Sequence, residues 1–386
     1  MKVVVIGAGV AGLAIGWKLA SAGAKVVLLE RAQVGNGATT ASGGMLAAAT
    51  ELGTTPTPEV AFARKANALW PDFATALQTQ TGVDIAYRPN GALLVRMKGE
   101  NTIAHHALSG EMCFLPADEA RAMEPLLGET ISDAIFATSE AQVDSQALCR
   151  ALAVAFVRAG GELQSNETAV RFERDGNRVT GITTPFTTHH ADAFVLATGA
   201  WSARIEGLPP EAVPPITPVK GEIIVLTPPE GVSVPEHVIW GNGIYVVPRR
   251  GRVLVGATME LAGFDTSLTR AAELWLRRQA QELMPGLSQW RLAEHWAGLR
   301  PASPDGLPVL GQTALDGLFV ASGQYRNGIL FAPAVAEVLS RLVLERTAVD
   351  SAFDPRRFLG VKPTLSVPET PHKEVGRGAG VWPTAS

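Results

Sequence analysis

The feature that most constrains this chain sits at its start. The β-branched run Lys2-Val3-Val4-Val5-Ile6 leads into Gly7-Ala8-Gly9-Val10-Ala11-Gly12, then into Leu13-Ala14-Ile15-Gly16-Trp17-Lys18-Leu19-Ala20, whose apolar residues recur at helical spacing. Ser21-Ala22-Gly23 stops that helix, and Lys25-Val26-Val27-Leu28-Leu29-Glu30 resumes as a second buried strand, completing a βαβ unit that begins a parallel sheet. In a G-x-G-x-x-G turn the first glycine tightens the turn and the second lets backbone approach a pyrophosphate. The third lets helix and strand pack closely. The helix N-terminus then presents free N–H groups and a favourable dipole to phosphates. Glu30 closes the second strand, where a carboxylate accepts hydrogen bonds from ribose hydroxyls and disfavours a 2′-phosphate. The hexapeptide alone is a weak signal; strand, helix and acid in register make it a dinucleotide site.

A chain of 386 residues, 46% hydrophobic and 18% charged, exceeds the usual size of one compact domain, so two domains are expected. A formal net charge of -4 gives nucleic-acid binding nothing electrostatic to rest on. Cys113 and Cys149 stand far apart in no metal-ligand or redox spacing, which fits a reducing cytosol and a cytoplasmic protein without a structural disulfide. Glycines interrupt the first apolar run, so it is expected to be a buried strand and not a signal peptide. The other apolar stretches are too short for a membrane span. Residues 361–386 are rich in Pro, Gly, Thr and Ser and are expected to form a mobile tail.

Asp144-Ser145 is placed to cap a helix running through Leu148, Leu152 and Phe156 to Gly160-Gly161, with strands following around an Asp175-Gly176 turn. Ala193 to Ala197 and Gly317 to Ala321 are further buried strands, the second followed by a helix from about Ala332 through Leu342. Gly91 to Met97 and Glu222 to Met259, with a hairpin turn at Arg249-Arg250-Gly251, suggest an antiparallel sheet. The expected architecture is α/β, two interleaved discontinuous domains. Residues 1–85, 140–215 and 296–360 would form a Rossmann-type dinucleotide-binding domain, and 86–139 and 216–295 a substrate-binding domain with an antiparallel sheet.

The fingerprint hardly separates FAD from NAD. Gly37-Ala38-Thr39-Thr40-Ala41-Ser42-Gly43-Gly44-Met45 favours FAD, because it is too small and polar for core, carries hydroxyls for a diphosphate, and lets a flat ring lie against backbone. With Ala197-Thr198-Gly199-Ala200-Trp201-Ser202, Pro218-Val219-Lys220-Gly221-Glu222, Val247-Pro248-Arg249, Val255-Gly256-Ala257-Thr258-Met259-Glu260, Trp296-Ala297-Gly298-Leu299-Arg300-Pro301, Pro304-Asp305-Gly306-Leu307-Pro308 and Arg326-Asn327-Gly328-Ile329-Leu330, the chain resembles the D-amino-acid oxidase superfamily over most of its length, most closely its glycine oxidase branch from bacterial thiazole biosynthesis. The resemblance implies that Gly43-Gly44-Met45 and Gly323, Gln324, Tyr325, Asn327, Gly328, Ile329 and Leu330 border the isoalloxazine. It further implies that Val170 sits by the adenine, and that Arg31, Thr198, Gly199 and Trp201 join the cofactor site. Neither cysteine lies in a motif for covalent flavin attachment, so FAD would be held non-covalently.

An amino-acid substrate offers a carboxylate, and a guanidinium grips one with paired, charge-assisted hydrogen bonds. Arg300 matches the family's carboxylate-binding arginine, Tyr245 the tyrosine that shares that load, Met259 a residue of the side-chain pocket, and Arg326 an arginine near substrate and flavin; the residues alone also allow Met259 as core and Arg326 as a solvent-facing or ion-paired arginine beside a glycine turn. Gln324 and Gly243 stand where relatives carry histidine, and a small Gly243 would open the pocket to larger amines. The adjacent pairs His105-His106 and His189-His190 have no metal-ligand spacing and are expected in solvated loops; no metal site is expected. No hydrolase elbow or kinase loop is present. The expected chemistry is hydride transfer from the substrate's α-carbon to flavin without an obligatory side-chain base, with oxygen reduced to hydrogen peroxide. Glycine, sarcosine and D-amino acids all remain open as substrates, and a related dehydrogenase using another electron acceptor, or a flavin-binding module without turnover, stays as a rival. The resemblance also implies a homo-oligomer and thiazole synthase as a recipient of the product.

Overall fold

A computed structural model describes residues 1–53, 55–100 and 111–359. His105-His106 and the tail expected over 361–386 lie outside those residues. The chain opens with β1 (Lys2–Ile6), α1 (Val10–Ser21), β2 (Lys25–Glu30), the short β3 (Met45–Leu46) and α2 (Ala48–Leu52), then the long α3 (Pro58–Thr81). Next come β4 (Ala92–Met97), β5 (Met112–Pro116), α4 (Ala117–Met123), β6 (Ile131–Ala137), β7 (Ala141–Gln142) and α5 (Ser145–Arg158). The middle holds β8 (Glu162–Ser165), β9 (Arg171–Asp175), β10 (Arg178–Thr183), β11 (Thr188–His190) and β12 (Ala193–Leu196). Then follow β13 (Thr217–Thr227), β14 (Val238–Gly241), β15 (Ile244–Arg249), β16 (Arg252–Gly256) and α6 (Arg270–Leu283). The last elements are β17 (Arg291–Ala302), β18 (Val309–Gln312), β19 (Leu318–Ser322) and α7 (Gly328–Glu345).

Six strands form one sheet in the order β18-β19-β12-β1-β2-β8, so the three buried strands expected to share a sheet do. All its pairs are parallel except β18 with β19. The unbroken apolar run of β1 follows from burial on both faces. Val3 and Val5 join a core with α1, α3, α5 and α7, while Val4 and Ile6 join another with Phe172, Val179 and Ile182 of the three-stranded β9–β11 sheet. The helix predicted at Asp144-Ser145 is present, and the Asp144 carboxylate accepts from the Ala147 amide at 2.8 Å, the usual N-cap bond.

The second sheet has eight strands in the order β17-β13-β16-β15-β14-β4-β6-β5. It is antiparallel apart from the β14–β4 pair. One face packs Ile224, Val253 and Val255 against Leu276, Ala280 and Leu283 of α6, where each fully buried aliphatic side chain contributes about 1.5–3 kcal/mol. The opposite face carries Ile223, Val225, Tyr245 and Val247.

Three expectations need correction. α7 begins at Gly328, four residues before the predicted start near Ala332, with Asn327 as its N-cap and Pro333 accommodated inside it. β17 crosses the boundary expected at 296 and belongs wholly to the eight-stranded sheet, because its residues pair with β13 from Arg291 to Ala302. His189 is not in a solvated loop. It lies on β11, 9% exposed, with its ring 3.7 Å from the Glu167 carboxylate, while His190 on the alternate face is exposed.

Candidate active site

A single long cavity runs between the two sheets, from the Gly7–Gly9 turn to Tyr245 and Arg300. Its first end is built of backbone. A Cβ on Gly12 would lie 1.9 Å from the Gly7 carbonyl oxygen, so only glycine lets α1 start this close to β1. Gly9 caps α1 without a side-chain hydrogen bond, and no acidic residue occupies the first turn. Helix amides without intrahelical acceptors and the positive dipole end therefore meet whatever anion enters. The Val10 amide is held by the Thr39 hydroxyl at 3.1 Å. Glu30 lines the cavity as β2 ends, its carboxylate fixed by the amides of Ala8 at 2.8 Å and Ala32 at 3.0 Å.

Of the expected cofactor residues, Gly7, Gly9, Val10, Ala11, Glu30, Arg31, Thr39, Ser42, Gly43, Gly44, Met45, Thr198, Gly199, Trp201, Gln324, Tyr325, Asn327, Gly328 and Ile329 line this cavity. Six do not. Ala8 and Gly12 support the turn from behind, and Gly323 packs against Val309. Thr40 gives its hydroxyl to the Gly35 carbonyl at 2.8 Å. Leu330 is buried, with its carbonyl bonded by Trp70 at 2.9 Å. Val170 is 40% exposed, and Glu167, Thr168 and Ala169 form the wall just before it.

Arg249 was not singled out as a site residue, although it stands in a motif carrying the resemblance. Its buried guanidinium bonds the Gly43 carbonyl, the Val143 carbonyl at 2.7 Å and the Gln142 side chain at 2.7 Å, pinning the glycine segment against β15. Burial lowers its pKa to about 10, so it stays charged at neutral pH.

The other end of the cavity is built of charged side chains brought from distant segments. Arg300 on β17 donates to the carbonyls of Lys220 at 3.3 Å and Thr258 at 3.2 Å, and lines the cavity together with Tyr245 of β15. Burial lowers its pKa, partly offset by Tyr245 and reinforced by nearby Arg326. Burial also raises the Tyr245 pKa, so the phenol keeps its proton and remains a donor. Arg326 lines the same cavity and pairs with Glu51 of α2. Burial opposes its charge, but Glu51, Tyr325 and Tyr245 together outweigh that and raise its pKa.

Glu51 was missed, although the sequence held a signal: it is the sole charge between Ala38 and Pro58. Its helix is fastened by buried Glu140, whose carboxylate accepts from the amides of Ala49 at 3.0 Å and Thr50 at 2.6 Å and from the Thr50 hydroxyl at 2.8 Å. Met259 stands just behind the wall, its sulfur accepting from the Tyr325 hydroxyl at 2.8 Å. Gly243 sits in the turn between β14 and β15, beside Trp275 and outside the cavity lining, so its small size does not enlarge the pocket.

The residues present fit FAD. A glycine cradle and an open helix N-terminus suit a pyrophosphate, an acid at the end of β2 suits a ribose, and the cavity continues to a second helix N-terminus, that of α7, with no acidic residue in its first turn. Beyond that point, two arginines, a tyrosine and a glutamate suit a small molecule carrying a carboxylate and an amine. No helix among the described residues is long and apolar enough to cross a membrane.

Known proteins with this arrangement agree. The chain is 34% identical to the glycine oxidase of Pseudomonas aeruginosa over 363 residues, covering 92% of this chain and 98% of that protein. It is 35% identical to the bifunctional protein ThiO/ThiG of a Nostoc species over 353 residues, 89% of this chain but only 53% of that longer protein. The crystal structure of glycine oxidase from Geobacillus kaustophilus superimposes with a TM-score of 0.81 at 32% identity, covering 95% of this chain and 99% of that one. The family described as FAD dependent oxidoreductase matches residues 2–342. By fold, cavity and sequence, the chain belongs to this family of FAD-dependent enzymes, the D-amino-acid oxidase type.

Proposed function

We propose that this enzyme oxidises glycine or another small amino acid at its amine-bearing carbon, in the cytoplasm, and that its product feeds thiazole synthesis for thiamine. The observation that carries the reading is Arg300, which stands with Tyr245 in the cavity that begins at the glycine cradle. FAD, when bound, would supply a two-electron acceptor for hydride from the substrate's α-carbon, with oxygen as the final acceptor and hydrogen peroxide as the co-product. Arg300 grips the substrate carboxylate and the Tyr245 hydroxyl donates to it, so the α-carbon is held in one orientation. Met259, through Tyr325, shapes the side-chain pocket. Arg326, balanced by Glu51, stands near the amine end without adding a free positive charge there. The cavity-lining cofactor residues named above hold FAD non-covalently. The six-stranded sheet would serve the cofactor and the eight-stranded sheet the substrate.

The fused ThiO/ThiG relatives support a thiazole synthase as partner, and their names fit an oxidation that supplies it. Self-association into a homo-oligomer belongs to the same reading. Anaerobic mixing of the yellow protein with glycine, sarcosine and D-amino acids, followed by flavin absorbance, tests it. Bleaching by glycine or another small amino acid is expected, with peroxide formed in proportion when air is admitted. No bleaching by any member of the panel would overturn it.

A further inference from the structure

The strand beneath Arg300 alternates in an unusual way. Val219, Gly221 and Ile223 of β13 share the face of Arg300, and the last two line the cavity, while Lys220 and Glu222 point to the opposite face, which elsewhere is apolar. Both are 1% exposed. There the Lys220 ammonium lies 3.2 Å from the Glu222 carboxylate and 3.5 Å from that of Glu260. Glu222 also meets the His295 ring at 2.8 Å and the Thr269 amide and hydroxyl at 3.0 and 3.1 Å. A buried ion cluster of this kind seldom stabilises a fold more than apolar side chains of the same shape would; what it fixes is position.

The position it fixes is the seat of Arg300. The guanidinium rests on Gly221, between the two ionic residues, so closely that a Cβ there would lie 2.3 Å from either terminal nitrogen. The two carbonyls that orient it belong to Lys220 and Thr258. These two strands of chain are stitched together by Lys220 N to Glu260 O at 2.9 Å, Glu260 N to Lys220 O at 3.0 Å, and Glu222 N to the Thr258 hydroxyl at 2.8 Å. The side-chain cluster clamps the same residues from behind.

We propose that Lys220 and Glu222 are positioning residues, which act through the backbone of β13 and the Thr258–Glu260 segment to hold Arg300 in its carboxylate-gripping pose. The proposal rests on Arg300 being the carboxylate anchor. The test uses FAD-loaded protein, with dissociation constants for acetate measured by calorimetry alongside flavin content and Tm. The double variant Lys220→Met/Glu222→Leu removes both charges at similar volume. It is expected to keep its flavin and a Tm near that of the parent, yet to bind acetate roughly tenfold more weakly, with KM for the amine substrate rising far more than kcat falls. In an Arg300→Leu background the same pair of changes adds no further loss. Should the double variant not fold, Glu222→Gln keeps shape and hydrogen bonds while halving the ion pair, and it is expected to weaken acetate in the same direction. Parental acetate affinity in whichever variant folds would overturn the proposal. If Arg300→Leu alone left acetate binding intact, the anchor assignment would be at fault instead, which separates the two failures.

Discussion

The two ends of the cavity are made by different means. The cofactor end is largely a backbone object, with glycines, helix amides and carbonyls from the turn after β1, the 35–45 segment, the 197–201 turn and the start of α7. The substrate end is a side-chain object, in which Glu51, Tyr245, Arg300 and Arg326 come from α2, β15, β17 and the turn before α7. Backbone contacts tolerate almost no change where a Cβ would meet a carbonyl, whereas buried charges tolerate change only in proportion to the partners that remain. Failure at the first end should therefore be abrupt. Failure at the second should be graded, sensitive to pH, and confined to substrate handling.

The largest effect is expected at Gly12. Gly12→Val forces a side chain into the Gly7 carbonyl, a cost above about 4 kcal/mol, and should yield protein that retains no flavin after purification. Normal flavin content would break the account of the cradle. Arg300→Leu comes next: flavin content should be unchanged, while KM for the amine substrate rises roughly a hundredfold, equal to about 3 kcal/mol. Steady-state kinetics at saturating oxygen read this directly, and an unchanged KM would remove Arg300 from its role.

The third prediction concerns pH. Burial raises the Glu140 pKa from 4.5 to about 7, so the folded protein holds that proton more tightly than the unfolded chain does. The stability this brings is complete below the unfolded value and is lost as pH rises through about 7, a change of at most about 3 kcal/mol. Melting curves between the two values should therefore slope downward with rising pH, and Glu140→Gln should flatten the slope. An equal slope in that variant would mean another group carries it. The smallest effect is expected at Thr40, which stands behind the cavity lining and gives its hydroxyl to the carbonyl of Gly35. Thr40→Val should cost about 1 kcal/mol of stability and leave FAD affinity unaltered.

The same contrast governs what was legible in the sequence. β1, α1, β2 and the helix capped by Asp144 could be read directly, because local periodicity, glycine spacing and caps act over neighbouring residues. The start of α7 was read late because Pro333 inside the helix masked the four residues before it. Arg300, Tyr245 and Arg326 were found only by resemblance, since no local pattern relates positions separated by whole strands. Glu51 and Arg249 escaped for a different reason: one acts through an ion pair and the other through carbonyls of a distant glycine segment, and neither partner is adjacent in sequence. The misreading of His189 came from treating adjacent histidines alike, when strand alternation buries one and exposes the other.

The most direct test is a crystal structure of the FAD-loaded protein with a non-reactive short carboxylate bound. The account predicts isoalloxazine against Gly43 and Gly44, and carboxylate oxygens about 3 Å from the Arg300 guanidinium and the Tyr245 hydroxyl. A carboxylate bound elsewhere, with Arg300 turned away from the ring, would contradict it.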